Sequence, residues 1–267
     1  MQPIFTENEY HTPENTPRHW GDRLALRTRW YFILRYIAIV IRARILVDRN
    51  RFDEAWYVKT NLAIFRLIEG CNGRFHISGL EHLRNCTGPV VIVSNHMSNI
   101  ETNALGCIIW PYRKLTYVAK ASLLKFPIFG RVLAWLNPIV VGRANPREDL
   151  QTVLEEGCQR LQNGISVILF PQSTRSLTFD PEKFNSLGIK LARRANVPIL
   201  PMALKTDFWA NGRSFWRDFG PLQRHQPIHI AFGHPLHLEG NGKHTHEHII
   251  NFIQTHLNQW QANSPQE

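Results

Sequence analysis

Short apolar runs recur along the chain from Arg74 onward, and amphipathic segments separate most of them. Each run has the length and the β-branched content of a buried strand. Strands that alternate with helices in this way predict an α/β sheet. The predicted strands are Phe75–Ile77, Val90–Val93, Leu115–Val118, Pro138–Val141, Ile165–Phe170, Ile199–Leu204 and Ile228–Phe232.

Three of the intervening or following segments show a clear helical pattern. Glu148–Leu161 follows Pro146 and stops before Asn163 and a glycine, which are ordinary helix start and stop signals. Glu182–Ala195 and a segment from about His246 to Trp260 are the other two predicted helices. No repeat or low-complexity stretch interrupts this order, so residues 73–267 are predicted to form one α/β domain.

A basic helical pair is predicted ahead of the sheet, over residues 21–72, after a polar and flexible tail at 1–20. The segment from Gly21 to Arg51 contains eight arginines, and the second helix runs from Asp53 to about Glu69. Trp30–Ile41 is apolar except for one arginine, but it is shorter than the ~20 residues that a spanning helix needs. Aromatic and aliphatic residues beside arginines favour contact with a membrane surface. The alternative is a pair packed on the domain, with its arginines solvated.

Charge and cysteine content narrow the class of protein further. The net charge of +10 favours an anionic partner, whether nucleic acid, anionic lipid or a phosphorylated substrate. The four cysteines are widely spaced and form no Cys-x-x-Cys pair, so neither disulfides nor a thiolate zinc site is predicted, and the reduced cytosol is the expected compartment. His244, His246 and His248 alternate at a helix start, a spacing that does not favour a metal site.

The first candidate catalytic group is His96, which follows the Val90–Val93 run, with Glu101 five residues later. Across a loop and a first helical turn the two side chains can meet. A carboxylate that accepts one imidazole N–H fixes the ring and stabilises the cation formed when the other nitrogen removes a proton. The pair therefore suits activation of a hydroxyl. The alternative is that the pair has no catalytic role, because a His and a Glu at this spacing occur by chance in many proteins and often only cap a helix.

Two further strand ends carry arginines. Arg175 follows the run Val167–Leu169 with Ser173, Thr174 and Ser176 around it, and Arg143 follows a glycine after another run. Because the carboxyl ends of parallel strands meet at one edge of a sheet, these groups are expected to form an anion site near His96. The alternative is that either arginine is a surface ion-pair partner.

The order of these blocks resembles the glycerolipid acyltransferase family, which includes bacterial 1-acylglycerol-3-phosphate acyltransferases, from about Phe75 to Leu204. Glu101 stands where the family has an aspartate, and Gln172-Ser173 stand where it has Glu-Gly. The matching blocks are Asn95-His96 with Glu101, then Lys120, Pro127–Gly130 and Arg143, then Phe170–Ser176, and finally Val197–Pro201.

The resemblance implies a mixed central sheet flanked by helices, with the helical pair at its start. It implies transfer of an acyl group from acyl-CoA or acyl carrier protein to a lysophospholipid-type acceptor such as 1-acylglycerol-3-phosphate. His96 with Glu101 would be catalytic, and no metal or other cofactor is expected. The substrate-binding set that it implies is Arg143, Arg175, Lys120, Gln172, Ser173 and Thr174.

Membrane lipids would be the partners of such an enzyme, which is expected as a peripheral or monotopic protein on the cytoplasmic face of a membrane. Two other hypotheses remain open from the sequence. One is a non-catalytic lipid-binding relative in which the altered blocks have lost turnover. The other is a basic nucleic-acid-binding protein, although no nucleic-acid motif is present in the sequence and no nucleic-acid partner is expected.

Overall fold

Eight strands form one mixed sheet within residues 4–172, 174–212 and 218–262, which the computed structural model describes. Their order across the sheet is β1-β2-β8-β7-β3-β6-β4-β5. In chain order the strands are β1 (Tyr10–His11), β2 (Phe75–Ser78), β3 (Val91–Ser94), β4 (Leu115–Lys120), β5 (Ile139–Val141), β6 (Ser166–Leu169), β7 (Ile199–Lys205) and β8 (Ile228–Phe232).

The direction of the strands determines which loops meet. Strands β7, β3, β6, β4 and β5 run parallel, while β8 is antiparallel to β7, and β2 is parallel to β8. The carboxyl ends of the five parallel strands therefore share one edge of the sheet with the amino ends of β2 and β8. All seven predicted strands are confirmed, with small shifts at their ends.

Helices cover both faces of the sheet. The two faces divide the side chains of β3: Ile92 packs in one buried cluster with Phe65 and Ile100, and Val91 and Val93 pack in the other. Burial on both sides explains why the run reads as continuously apolar. The helices are α1 (Trp20–Leu24), α2 (Arg29–Asp48), α3 (Glu54–Gly70), α4 (Leu80–Asn85), α5 (Ile100–Ile109), α6 (Ala121–Leu124), α7 (Phe129–Trp135), α8 (Pro146–Gln162), α9 (Leu187–Ala195) and α10 (Lys243–Ala262).

The predicted helix Glu182–Ala195 is wrong in its first part, because α9 begins only at Leu187. The side chain of Asn185 explains the difference. Its Nδ2 donates to the carbonyl of Pro171 at 2.6 Å, and its Oδ1 accepts from the N–H of Leu187 at 3.0 Å. The residues just before Leu187 are therefore held against the end of β6 and do not form the first turns of the predicted helix.

The basic segment before the sheet is broken between α1 and α2. Leu26 and Arg27 have positive φ angles of 49° and 62°, a left-handed conformation that ends the first helix. Arg224 holds the turn, since its Nη2 donates to the carbonyls of Arg27 at 3.1 Å and Thr28 at 3.3 Å. The partner that fixes this break lies far along the chain, so local sequence gives no sign of it.

The segment before Gly21, expected as a flexible tail, contacts the domain within residues 4–20. Tyr10–His11 forms β1 and pairs antiparallel with β2. Phe5 is buried, and the Tyr10 hydroxyl donates to Glu69 at 2.6 Å. A two-residue strand is too short for any alternation of apolar and polar residues, and therefore the sequence did not predict it.

Candidate active site

His96 and Glu101 contact each other at the carboxyl end of β3. His96 lies in the loop between β3 and α5, and Glu101 lies in the first turn of α5. The imidazole Nδ1 donates a short hydrogen bond to Glu101 Oε2. The Glu101 side chain is completely buried, whereas the His96 side chain remains 19% exposed. The Nδ1 edge of the imidazole is therefore held from inside the protein, while part of the ring stays accessible to solvent or substrate.

The other carboxylate oxygen of Glu101 is fixed by three more donors. Glu101 Oε1 accepts from the backbone N–H groups of Met97 at 2.8 Å and Ser98 at 2.9 Å. It also accepts from the hydroxyl of Thr206 at 2.6 Å, and Thr206 accepts in turn from the Ser98 hydroxyl at 2.9 Å. The Glu101 carboxylate thus joins the imidazole and two backbone amides of the His96 loop to the residue that follows β7. Thr206 directly follows β7. His96 was identified as a polar residue after a predicted strand, and the same criterion would identify Thr206.

The end of β6 holds the backbone of His96 from the neighbouring strand. Gln172 Oε1 accepts from the His96 N–H at 2.8 Å, and the N–H of Ser176 donates to the His96 carbonyl at 2.9 Å. The Phe170 ring stacks on the imidazole with centroids 4.3 Å apart. Gln172 therefore positions the loop with its oxygen, and the substrate contact that the family resemblance implies for it stays a prediction.

Arg175 lies beside the same loop and is largely buried. Its Nη1 donates to Asn99 Oδ1 at 2.5 Å, and its Nη2 donates to Asp218 Oδ1 at 2.6 Å. Asn99 Nδ2 in turn donates to the Asp218 carbonyl at 3.2 Å. The ion pair considered for Arg175 is therefore present, but it lies at the entrance of α5 rather than on a remote surface. No feature of the sequence around Asp218 indicates this contact.

Comparison with known proteins agrees with the order of these elements. Residues 74–205 match the protein family described as Acyltransferase. The 1-acyl-sn-glycerol-3-phosphate acyltransferase of Pseudomonas aeruginosa is 31% identical over 213 residues, which cover 80% of this chain and 77% of that protein. The chain belongs to the glycerolipid acyltransferase family. It is an O-acyltransferase of the 1-acylglycerol-3-phosphate acyltransferase type.

Two further relatives of this acyltransferase extend the comparison. A 1-acyl-sn-glycerol-3-phosphate acyltransferase of Cocos nucifera is 26% identical over 61% of this chain and 51% of its own length. The crystal structure of the 1-acyl-sn-glycerophosphate (LPA) acyltransferase PlsC from Thermotoga maritima superimposes with a TM-score of 0.66 and 17% identity. That superposition covers 92% of this chain and 98% of PlsC, so the two proteins share the fold almost throughout.

Two of the remaining predicted binding residues of the acyltransferase, Lys120 and Arg143, lie farther along the same edge. Lys120 ends β4 opposite Val141 of β5, and Arg143 follows β5 with a φ of 64°. Both are exposed. Three strand spacings, roughly 14 Å, separate β5 from β3. Thr174 is exposed beside Arg175, and Ser173 lies outside the described residues. Among the residues described, no hydrogen bond or ion pair joins the Arg143 side chain to His96.

The described part of this acyltransferase has no metal-binding cluster and no membrane-spanning helix. Over residues 4–172, 174–212 and 218–262, no group of three or more His, Cys, Asp or Glu side chains is arranged to hold a metal ion. Within the same ranges, every helix is too short or too polar to cross a bilayer.

Proposed function

We propose that this acyltransferase moves a fatty acyl group from acyl-CoA or acyl carrier protein to the free hydroxyl of a lysophospholipid such as 1-acylglycerol-3-phosphate. The observation that carries this proposal is the hydrogen bond from His96 Nδ1 to Glu101. That bond leaves the other ring nitrogen, Nε2, as the acceptor for a proton. An imidazole held in this tautomer suits the activation of an alcohol, which is a poor nucleophile until a base engages it.

In the proposed reaction, His96 Nε2 removes the proton of the acceptor hydroxyl while its oxygen attacks the thioester carbonyl carbon. Glu101 stabilises the imidazolium that forms. Collapse of the tetrahedral intermediate breaks the C–S bond, and the proton passes from Nε2 to the departing thiolate. The products are the new ester and the free thiol of CoA or of the carrier protein, so no covalent enzyme intermediate is needed.

Arg175 is proposed to bind the phosphate of the acceptor. Its guanidinium has five N–H donors in a planar fork, and Asn99 and Asp218 use two of them. Thr174 and the amide nitrogen of Gln172 are close along the chain and are proposed as further contacts, with Ser173 between them. Lys120 at the end of β4 lies two strand spacings, roughly 10 Å, from β3, and Arg143 after β5 lies three spacings, roughly 14 Å, from it. Both are proposed to attract the anionic acceptor toward the site by their charge rather than to contact the reacting hydroxyl.

The acyltransferase is proposed to work on a membrane surface, peripherally and on the cytoplasmic face. Four large apolar side chains of α2 are exposed along one helical stripe, namely Trp30, Leu34, Ile41 and Ile45. An exposed stripe of this kind suits the boundary between headgroups and acyl chains, where lipid substrates are available. The cysteines Cys71, Cys86, Cys107 and Cys158 are all unpaired, which is consistent with a reducing compartment.

The test is an assay of the purified chain with vesicles, labelled acyl-CoA or acyl carrier protein, and a panel of lysolipids. Wild type is compared with His96→Ala, and the exposed His237→Ala serves as a matched histidine control. We expect product with wild type and with the control, and a loss of at least ~100-fold with His96→Ala, the usual range for a general base. If the chain binds vesicles and His96→Ala forms as much product as wild type, the proposed role of the imidazole is overturned.

A further inference from the structure

A second cationic site lies outside the His96 region. A cleft of about 760 Å³ is lined by the segment 14–18, by one residue of α1 and one of the α1–α2 turn, and by Asn72 and Arg74 just before β2. Four of its lining residues are arginines, Arg18, Arg23, Arg27 and Arg74, and Glu14 is its one acidic lining residue. This charge excess predicts an anionic ligand.

Most of these arginines have no carboxylate partner. Arg18 pairs with the buried Asp22 at 2.5 Å from its Nε. For Arg23, Arg27 and Arg74, no acidic side chain lies within ion-pair distance among the residues that the structure describes. In the same set, Nη1 of Arg74 is buried and has no hydrogen-bond partner. A buried donor without an acceptor is unfavourable, and a phosphate in the cleft would supply an acceptor once the Arg74 side chain turned toward it.

The backbone that carries Arg27 is held in a strained conformation. Leu26 and Arg27 both have positive φ angles, which L-residues rarely adopt in succession. Arg224 stabilises this turn through Asp22, with contacts of 3.0 and 2.7 Å to its two carboxylate oxygens. Strained backbone persists where the surrounding structure enforces it, and such positions are common at ligand sites.

The neighbours of the cleft arginines indicate what kind of phosphate reaches them. Trp20, Leu24 and Leu26 belong to the same short segment and are 77%, 71% and 84% exposed. Side chains of this kind prefer the membrane interface, with tryptophan at the headgroup level and leucine among the acyl chains. A soluble phosphate compound would give no reason for three large apolar side chains to stand in solvent beside its site.

We propose that the arginine cleft binds the phosphate of an anionic phospholipid headgroup at the membrane surface. This site is separate from the acceptor site at His96 and goes beyond the proposed reaction. The phosphates of the CoA nucleotide share the same chemistry. Arg74 directly precedes β2, whose amino end lies on the His96 edge of the sheet, three strand spacings or roughly 14 Å from β3. The experiment must therefore separate the lipid from the nucleotide.

The test uses the full chain and flotation with vesicles of phosphatidylcholine alone or with added phosphatidylglycerol. The variant Arg23→Gln/Arg27→Gln/Arg74→Gln should bind phosphatidylglycerol vesicles at least roughly tenfold more weakly, since each near-surface cation contributes a factor of about five. Binding to phosphatidylcholine should be unchanged, because the exposed apolar side chains remain. Arg23→Gln alone, at an exposed position, should show part of the loss if the triple variant does not fold.

A matched control removes the same charge from the other end of the sheet. Lys190→Gln/Arg193→Gln/Arg194→Gln changes exposed residues of α9, which precedes the amino end of β7. We expect less than a twofold change, because screening limits an exposed charge to about 10 Å. An equal loss in this control would overturn the proposal by showing that net charge alone attracts the vesicles. Unchanged vesicle binding in the cleft variant would also overturn it.

Binding of the CoA phosphates in the cleft is tested by a separate measurement, the KM for each acyl donor. A cleft variant with a raised KM for acyl-CoA, an unchanged KM for acyl carrier protein and intact phosphatidylglycerol binding would overturn the lipid assignment in favour of CoA. Vesicle binding requires no turnover, so the comparison can be repeated in the His96→Ala background. Failure of the proposed chemistry and failure of the headgroup site are therefore distinguishable.

Discussion

The side-chain amide of Asn95 extends the hydrogen-bond ladder between β3 and β7 by pairing with the backbone of Leu204. Its Oδ1 accepts from the Leu204 N–H at 2.9 Å, and its Nδ2 donates to the Leu204 carbonyl at 2.7 Å. Both residues are buried. Because Asn95 directly precedes His96, this pair determines where the imidazole leaves the sheet.

Asn95→Ala should therefore reduce both stability and turnover. Two buried backbone groups of Leu204 lose a partner, so we expect the free energy of unfolding to fall by about 2–4 kcal/mol. Urea unfolding at pH 7 measures this change, with the exposed Asn251→Ala on α10 as a matched control near zero. A loss below about 0.5 kcal/mol for Asn95→Ala would show that the amide pair does not hold the loop.

Glu101→Asp restores the residue usual in the family and should lower kcat in this chain. A side chain shorter by one methylene cannot keep the bond to His96 together with those to Met97, Ser98 and Thr206. We expect kcat to fall roughly tenfold to a hundredfold, within the range of a general base that is misplaced. Steady-state kinetics with a saturating donor give the value. Unchanged or higher activity would mean that the loop closes around the shorter side chain.

Thr206→Val should reduce kcat with little effect on KM. Valine keeps the shape of the side chain but removes the hydroxyl that donates to Glu101 Oε1. Loss of one hydrogen bond of about 1 kcal/mol corresponds to a roughly fivefold lower rate. Thr206→Ser retains the hydroxyl and should recover most of the activity. If serine fails to recover it, packing rather than the hydrogen bond is responsible.

Arg175→Lys should weaken the binding of acceptors that carry a phosphate. Lysine keeps the charge but lacks the planar fork that contacts Asn99 and Asp218 together. We expect the KM for lysophosphatidate to rise about tenfold or more, the difference made by a bidentate charged contact. The KM for a neutral monoacylglycerol should stay the same. An equal rise for both acceptors would assign Arg175 to the structure of the loop instead.

His229 should make the stability depend on pH below neutrality. Burial, His76 and Lys205 lower the pKa of His229 to about 3, and its ring stacks on His76 and Trp260. In the unfolded chain the pKa is near 6.5, so the unfolded state binds more protons between these values. The neutral folded ring therefore contributes stability above about pH 6.5, which is lost as the pH falls toward 3.

His229→Gln removes this dependence, because glutamine does not titrate. Urea unfolding from pH 7 to pH 4 should show the largest difference between wild type and variant at pH 7, and a steadily smaller one at lower pH. His237→Gln, at an exposed position on the same chain, should not change the slope. A difference for His229→Gln that is constant with pH would mean that packing alone accounts for it.

Much of the fold was predictable because strands and most helices leave a local pattern. β3 is buried on both faces and reads as an apolar run, and α8 carries both its proline start and its asparagine stop. β1 and the start of α9 were not predictable. β1 exists through backbone pairing with β2, and α9 is delayed by a bond from Asn185 to Pro171.

Several residues of the candidate site were predictable from the sequence, but most of their contacts were not. His96, Glu101 and Arg175 were identified as candidates because they lie within a few residues after an apolar run, in a short stretch of sequence that carries polar and charged groups. Gln172 was found as well, but its contact with the His96 backbone was not. Arg143 was expected to converge on the same phosphate as Arg175. In the sheet β4 lies between β6, which precedes Arg175, and β5, which precedes Arg143, and the convergence of the two arginines stays a prediction.

The sequence by itself determined the strands, the residues at their ends and the family, since these depend on periodicity and on short blocks of residues. Tertiary structure alone decided which distant groups complete each site. Thr206 reaches Glu101, Asp218 reaches Arg175, and Arg224 holds the turn at Arg27, each across more than forty residues of chain. Such contacts depend on the order and direction of strands, and no local pattern in the sequence specifies them.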